Sequence, residues 1–166
     1  MRKRSIVAGV AVAVGLLAAT IVTVTTAHAG QGAFVQIANA VSGKCMTPQL
    51  GGSPPLMQWT CGNEAKQLWL PVNLNNGYFQ YVNKESGLCL WTNGTIDSRV
   101  SQSTCDATQP TQWWAWGAAD DIGHQVLYSG TGNRCLALDG VYSGRNGWPI
   151  AIHECATTSG QMWHLA

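Results

Sequence analysis

The chain has 166 residues, nine Lys or Arg against eight Asp or Glu, a formal charge of +1, and 46% hydrophobic residues. Three of the basic residues stand together at positions 2–4, so beyond that start six bases face eight acids and no basic run remains. Nucleic acid and acidic membrane surfaces, whose phosphates need clustered Lys or Arg, are therefore disfavoured as partners.

Taken in chain order, the first element is a leader. Arg2, Lys3 and Arg4 precede an uncharged stretch from Ile6 to Val24, and Ala27-His28-Ala29 has the small-x-small form of a cleavage site. The stretch is long enough for a membrane anchor. Its Ala, Gly and Thr content and the lack of a basic stop favour a removed, bacterial-type signal peptide over residues 1–29. Residues 30–166 then form about one domain, expected to be secreted, extracellular, monomeric and without membrane insertion.

The rest of the chain repeats. Six cysteines fall in successive separations of 16, 16 and 20 residues within the pairs 45/61, 89/105 and 135/155. After each pair comes one Gln-x-Trp: Gln67-Leu68-Trp69, Gln112-Trp113-Trp114 and Gln161-Met162-Trp163. The first cysteines of the pairs are 44 and 46 residues apart, and the three glutamines 45 and 49. "SGKC" at Ser42–Cys45 matches "SGLC" at Ser86–Cys89 and, with one insertion, "TGNRC" at Thr131–Cys135; Asn39 and Asn83 both stand six before their cysteine. A period of about 45 residues in three copies is the mark of a repeat architecture. The copies span about 33–74, 77–117 and 123–166.

Each copy reads as four short strands. The first is Phe34–Asn39, Tyr78–Asn83 or Gln125–Tyr128, followed by a Ser-Gly or Thr-Gly turn. The second carries the first cysteine. The third carries "LMQWTC", "RVSQSTC" or "PIAIHEC", and the fourth is expected to begin at Gln-x-Trp. No helical period is visible outside the leader. Twelve strands in three units predict an all-β, closed architecture without exposed edges; a three-bladed propeller is the competing arrangement. An even cysteine count in an exported chain reads as disulfides, since no Cys-x-x-Cys or close His partner marks a metal site.

The Cys…Cys…Gln-x-Trp unit, three times in phase over about residues 33–166, resembles the ricin B-type lectin domains, carbohydrate-binding β-trefoils. The resemblance implies six barrel strands capped by three hairpins about a pseudo-threefold axis, and one disulfide per repeat: Cys45–Cys61, Cys89–Cys105 and Cys135–Cys155. Trp69, Trp114 and Trp163 are expected to fill the barrel, with their glutamines bonded to nearby backbone.

The family also implies a shallow sugar site in each repeat. Its parts are an Asp two residues after the first cysteine, an aromatic ring two before the second, and an amide between that cysteine and the Gln-x-Trp. Here the Asp positions hold Thr47, Trp91 and Ala137, and the ring positions Trp59, Ser103 and His153. The second repeat lacks both groups and is set aside. The candidate carbohydrate-binding residues are Trp59, Asn63 and Gln67 in the first repeat, and Asp139, Tyr142, Asn146, Trp148 and His153 in the third. Trp91 and Trp148, if exposed, would mark a binding surface. The first two cysteine loops are about three residues shorter than the family usually has, which trims one wall of the pocket.

The expected function is a non-enzymatic, secreted carbohydrate-binding module for extracellular glycans, galactose-type sugars or polysaccharides, with no cofactor. The alternative keeps the trefoil as a disulfide-stiffened scaffold for a protein or peptide partner. No Gly-x-Ser-x-Gly, His-Glu-x-x-His or phosphate loop points to catalysis. Asp120-Asp121 reads as a solvated turn, and Asn93-Gly94-Thr95 as a turn rather than a glycosylation site.

Overall fold

The computed structural model describes residues 32–49, 55–140 and 144–166. The expected leader and Tyr142 lie outside them. The first repeat holds β1 (Ile37–Asn39), β2 (Lys44–Pro48), β3 (Leu56–Thr60) and β4 (Trp69–Asn73). The second holds β5 (Phe79–Asn83), β6 (Cys89–Trp91), β7 (Ser101–Ser103) and β8 (Trp114–Ala119). The third holds β9 (Gln125–Ser129), β10 (Arg134–Leu138), β11 (Trp148–Glu154) and β12 (Met162–Leu165).

Six of these strands close a ring. β1 pairs β12 with Ala38 opposite His164. β12 pairs β9, β9 pairs β8, β8 pairs β5, and β5 pairs β4. A bridge between Val35 and Trp69 joins β4 back to the approach to β1. The other six form the hairpins β2–β3, β6–β7 and β10–β11. These meet one another in three ways: Trp148 lies opposite Gln58, Arg99 bridges Ala151, and the Leu56 N–H donates to the Val100 carbonyl at 2.7 Å. Barrel and cap together are a β-trefoil, in which ring closure leaves few free sheet edges.

The three Gln-x-Trp tryptophans are fully buried at the centre, packed with Ile37, Leu56, Leu90, Leu127 and Ile150. A buried indole needs an acceptor for its N–H. Each finds the carbonyl one residue past the first cysteine of its own repeat: Trp69 donates to Met46 at 3.3 Å, Trp114 to Leu90 at 3.1 Å and Trp163 to Leu136 at 2.9 Å.

The fourth strands begin inside the Gln-x-Trp motifs, at Trp69, Trp114 and Met162, rather than at the glutamines themselves. A single 3-10 turn precedes each, at Ala65–Gln67, Pro110–Gln112 and Ser159–Gln161. The turn folds the glutamine side chain back across the second cysteine. Gln67 donates to the Thr60 carbonyl and accepts from the Gly62 N–H; Gln112 does the same with Thr104 and Asp106, and Gln161 with Glu154 and Ala156. A strand conformation at the glutamine would point this amide away from both groups.

Each disulfide joins the cysteines of one repeat: Cys45–Cys61, Cys89–Cys105 and Cys135–Cys155, with Cα atoms 5.0 Å apart in all three. In the chain-entropy account, closing loops of this size stabilises by about 3 kcal/mol each. That matters for a core shared by three small units. The repeats are tied to each other by Asn39, whose amide donates to the carbonyls of Gly160 and Met162, and by Asn83, which donates to Lys66 and Leu68. Each asparagine thus holds the preceding Gln-x-Trp turn, with Asn39 in the first repeat reaching the third. The corresponding residue in the third repeat is Ser129, whose shorter side chain bonds Thr131 within its own turn.

Candidate functional site

Three surface clefts occupy threefold-equivalent places beside the hairpins. The first, about 280 Å³, is lined by Thr47, Pro48, Gln49, Trp59 and Lys66. The second, about 660 Å³, includes Trp91, Ser103, Asp106, Gln109 and Thr111. The third, about 380 Å³, includes Ala137, Gly140, His153, Ser159 and Gly160. Every cleft therefore takes one residue two past the first cysteine, one two before the second, and one just before the Gln-x-Trp glutamine. Cross-strand pairing explains the first two. Those residues flank the same hairpin, whose strands the disulfide holds together.

In the first cleft Trp59 is 41% exposed, a large ring presented to solvent. Thr47, at the place of the family's Asp, is buried; its hydroxyl donates to the Cys45 carbonyl at 2.9 Å and accepts from Gln67 at 3.0 Å. Gln67 is not available to a ligand as expected. Its oxygen is taken by Gly62, and its two amide hydrogens go to Thr47 and Thr60. Asn63 is exposed but does not line the cleft.

The third repeat departs further from expectation. Asn146 does not face its own cleft. Its side-chain oxygen accepts from the N–H of Thr60 at 2.9 Å and from the Thr60 hydroxyl at 3.1 Å, beside Trp59 of the first repeat. Gly147 follows at φ +75, and a Cβ there would lie 3.7 Å from the Trp59 ring. Trp148 is not an exposed surface ring. It packs against the central core and donates its indole N–H to the Asp139 carbonyl at 2.7 Å. The cause is the cap: β11 pairs β3, so the turn before Trp148 leans on the first repeat.

His153 does line the third cleft, held from behind by residues of the second repeat. Its Nδ1 is bonded to Asp97, and its Nε2 lies 3.8 Å from Asp139. Asp139 turns its carboxylate to Arg99 at 2.8 Å, an ion pair across the repeat boundary. Asp97 sits at φ +63, the left-handed conformation that Asp tolerates better than most residues.

Sequence reasoning passed over the second cleft, which is larger than the other two. Its ring is Trp91, half-buried, on the strand wall where the family has its acid. Its acid is Asp106, just past the second cysteine. The Thr108 hydroxyl and then the Thr108 N–H bond this carboxylate and hold it below the usual carboxylate range. A ring and a carboxylate are thus both present, the ring at the family's acid position and the carboxylate just past the second cysteine, where the family has its amide. The nearest signal in the sequence was Asp106 directly after Cys105. Lys66, on the lip of the first cleft, was missed as well. The Asp120-Asp121 pair is a solvent-exposed turn as expected, with Asp120 bonding the N–H groups of Ile122 and His124. Asn93-Gly94-Thr95 is likewise a bend, with Gly94 at φ +78.

Fold and clefts define a β-trefoil with one shallow, partly aromatic pocket per repeat. Family models for the ricin-type beta-trefoil lectin domain and a ricin-type beta-trefoil lectin domain-like group match residues 77–166 and 22–99 respectively. The chain belongs to the ricin-type β-trefoil lectin domain family. A search of curated protein sequences found no match. Among solved structures it is similar to the designed threefold-symmetric protein ThreeFoil, at 20% identity and a TM-score of 0.74, over 80% of this chain and 97% of that one. It is also similar to the ricin B-like lectin of Macrolepiota procera, solved with lactose, at 17% identity and a TM-score of 0.66, over 82% and 96%. The exo-β-1,3-galactanase 1,3Gal43A of Clostridium thermocellum gives 22% identity and a TM-score of 0.72, but the match spans 80% of this chain and only 30% of that one. At these identities the likeness concerns the fold.

Proposed function

We propose that the protein is a secreted, non-catalytic glycan-binding module acting outside the cell as a monomer. The observation that carries this reading is the set of three equivalent clefts, two of them walled by a tryptophan. A sugar offers an apolar ring face and hydroxyls, so a site needs an aromatic surface beside amides, hydroxyls or a carboxylate. Trp59 with Gln49 and Lys66 supplies this in the first cleft, and Trp91 with Asp106 and Gln109 in the second. Asp139 and His153 are the candidate groups of the third. The lactose bound by the Macrolepiota procera lectin supports galactose-type sugars as first probes. Three disulfides fit an oxidising, extracellular setting.

One observation favours a second reading, a scaffold for a protein or peptide partner: no cleft keeps an acid two residues past its first cysteine, where Thr47, Trp91 and Ala137 stand. A glycan array probed with oxidised protein of residues 30–166 separates the two. We expect a small set of weak positives, competed by free sugar and reduced by Trp59→Ala or Trp91→Ala. A blank array with folded protein would turn the account to the scaffold reading.

A further inference from the structure

We infer that the first cleft is built for an anionic sugar residue, with the Trp59 ring under the apolar face of the pyranose and the Lys66 ammonium at its charged edge. This rests on the reading of the clefts as glycan sites. The three clefts share their framework but differ in charge. The residue just before the Gln-x-Trp glutamine is Lys66 in the first, Thr111 in the second and Gly160 in the third. Among the described residues, Lys66 is the only charged side chain lining the first cleft. The second is lined by the Asp106 carboxylate, and the third has Asp97 and Asp139 behind His153.

The floor of the first cleft points the same way. A neutral sugar is gripped best by a carboxylate accepting from two hydroxyls. Thr47 stands at that place, and its hydroxyl is already committed on both sides, to the Cys45 carbonyl and the Gln67 amide. The cleft therefore offers a ring and a cation, with no carboxylate among the described residues of its lining. With the leader removed the protein has six basic residues against eight acidic ones, so this local positive charge runs against the balance of the whole.

Lys66 already has a partner, Glu64 at 2.6 Å. The side chains are 34% and 63% exposed, and Glu64 is not part of the cleft lining. Exposed ion pairs of this kind hold weakly and are screened by salt. A ligand anion fixed above Trp59 replaces Glu64 without leaving a buried charge unpaired. Glu64 then acts as a competitor for the cation, which gives the inference a test that a structural role for Lys66 would not pass.

The anion can be a carboxylate or a sulfate on the ring, and the probes separate them. Binding is measured by calorimetry at low and high salt for an oligogalacturonide, its carboxyl-reduced neutral counterpart and a sulfated galactan oligosaccharide. We expect the acidic ligand to bind about tenfold more tightly than its reduced form at low salt, with the advantage shrinking as salt rises. Lys66→Met should abolish that advantage, and Glu64→Gln should increase it severalfold without changing neutral binding. Preference for the sulfated ligand over the uronide identifies sulfate as the source of the anion and supports the inference. Equal binding of acidic and reduced forms, unmoved by either substitution, overturns it. Neutral binding that depends on Trp59, without an acidic preference, overturns it while leaving the glycan reading intact. Absence of binding to any glycan, acidic or neutral, overturns both.

Discussion

The residue that does most for its size is the Gln-x-Trp glutamine. Gln67, Gln112 and Gln161 are all buried, and each spans a second cysteine by accepting from the N–H on one side and donating to the carbonyl on the other. Truncation removes the hydrogen bonds to a part-buried backbone N–H and carbonyl, and two such bonds together contribute about 1–3 kcal/mol net. Gln161→Ala should therefore lower stability by about that much in chemical denaturation with the disulfides intact. It should leave first-cleft sugar binding unchanged, because its bonds are in the third repeat. A Gln161→Ala protein of full stability that lost first-cleft binding would contradict the structural role. The neighbouring tryptophans act differently: they contribute area to the core, and their N–H groups only need a single carbonyl each.

At the scale of elements, the seam between β1 and β12 carries the pH sensitivity. His164 on β12 lies opposite Ala38, with its ring 5.2 Å from that of His124. His124 is in turn bonded to Asp120 at 2.8 Å. Burial first, and the charge of His124 second, hold the His164 pKa below its ordinary 6.5. The unfolded chain then binds the His164 proton more readily than the folded one. Stability is thus full above the ordinary value and falls as pH drops through 6.5 toward the lower folded value. The melting temperature should decline as pH falls below 6.5, and His164→Gln should flatten that decline. An unchanged pH profile in the variant would remove His164 from the account. The same seam shows what was legible in the sequence. The strand next to each Ser-Gly turn could be read locally, because Gly43 and Gly87 take φ of +62 and +68, which glycine permits because it has no Cβ. The closing pair of strands, more than a hundred residues apart, leaves no such local trace.

Across the whole molecule, the sequence showed the framework because threefold repetition writes each structural role three times. The positions two past the first cysteine and two before the second do form the cleft walls in all three repeats. What it did not show are contacts between repeats. Asn146 and Trp148 belong to the third repeat in sequence, yet β11–β3 pairing delivers one to Thr60 and the other to the core. Asp97 and Arg99 belong to the second repeat and brace His153 and Asp139 of the third. Spacing within one repeat carries no information on such seams. It also missed the displaced ring and acid of the second cleft, Trp91 and Asp106, since a position was judged by the residue the family keeps there rather than by the wall it forms.

The central claim is that sugars bind at the clefts while the Gln-x-Trp tryptophans only build the fold. The most direct measurement is a ¹H–¹⁵N NMR titration of the tryptophan indole N–H signals with a glycan that registers on the array. The account predicts saturable shifts at Trp59 or Trp91, with Trp69, Trp114 and Trp163 unmoved, since these three are fully buried and bonded to core carbonyls. Shifts confined to tryptophans outside the clefts, such as Trp113, or no shift at saturating ligand, would contradict it.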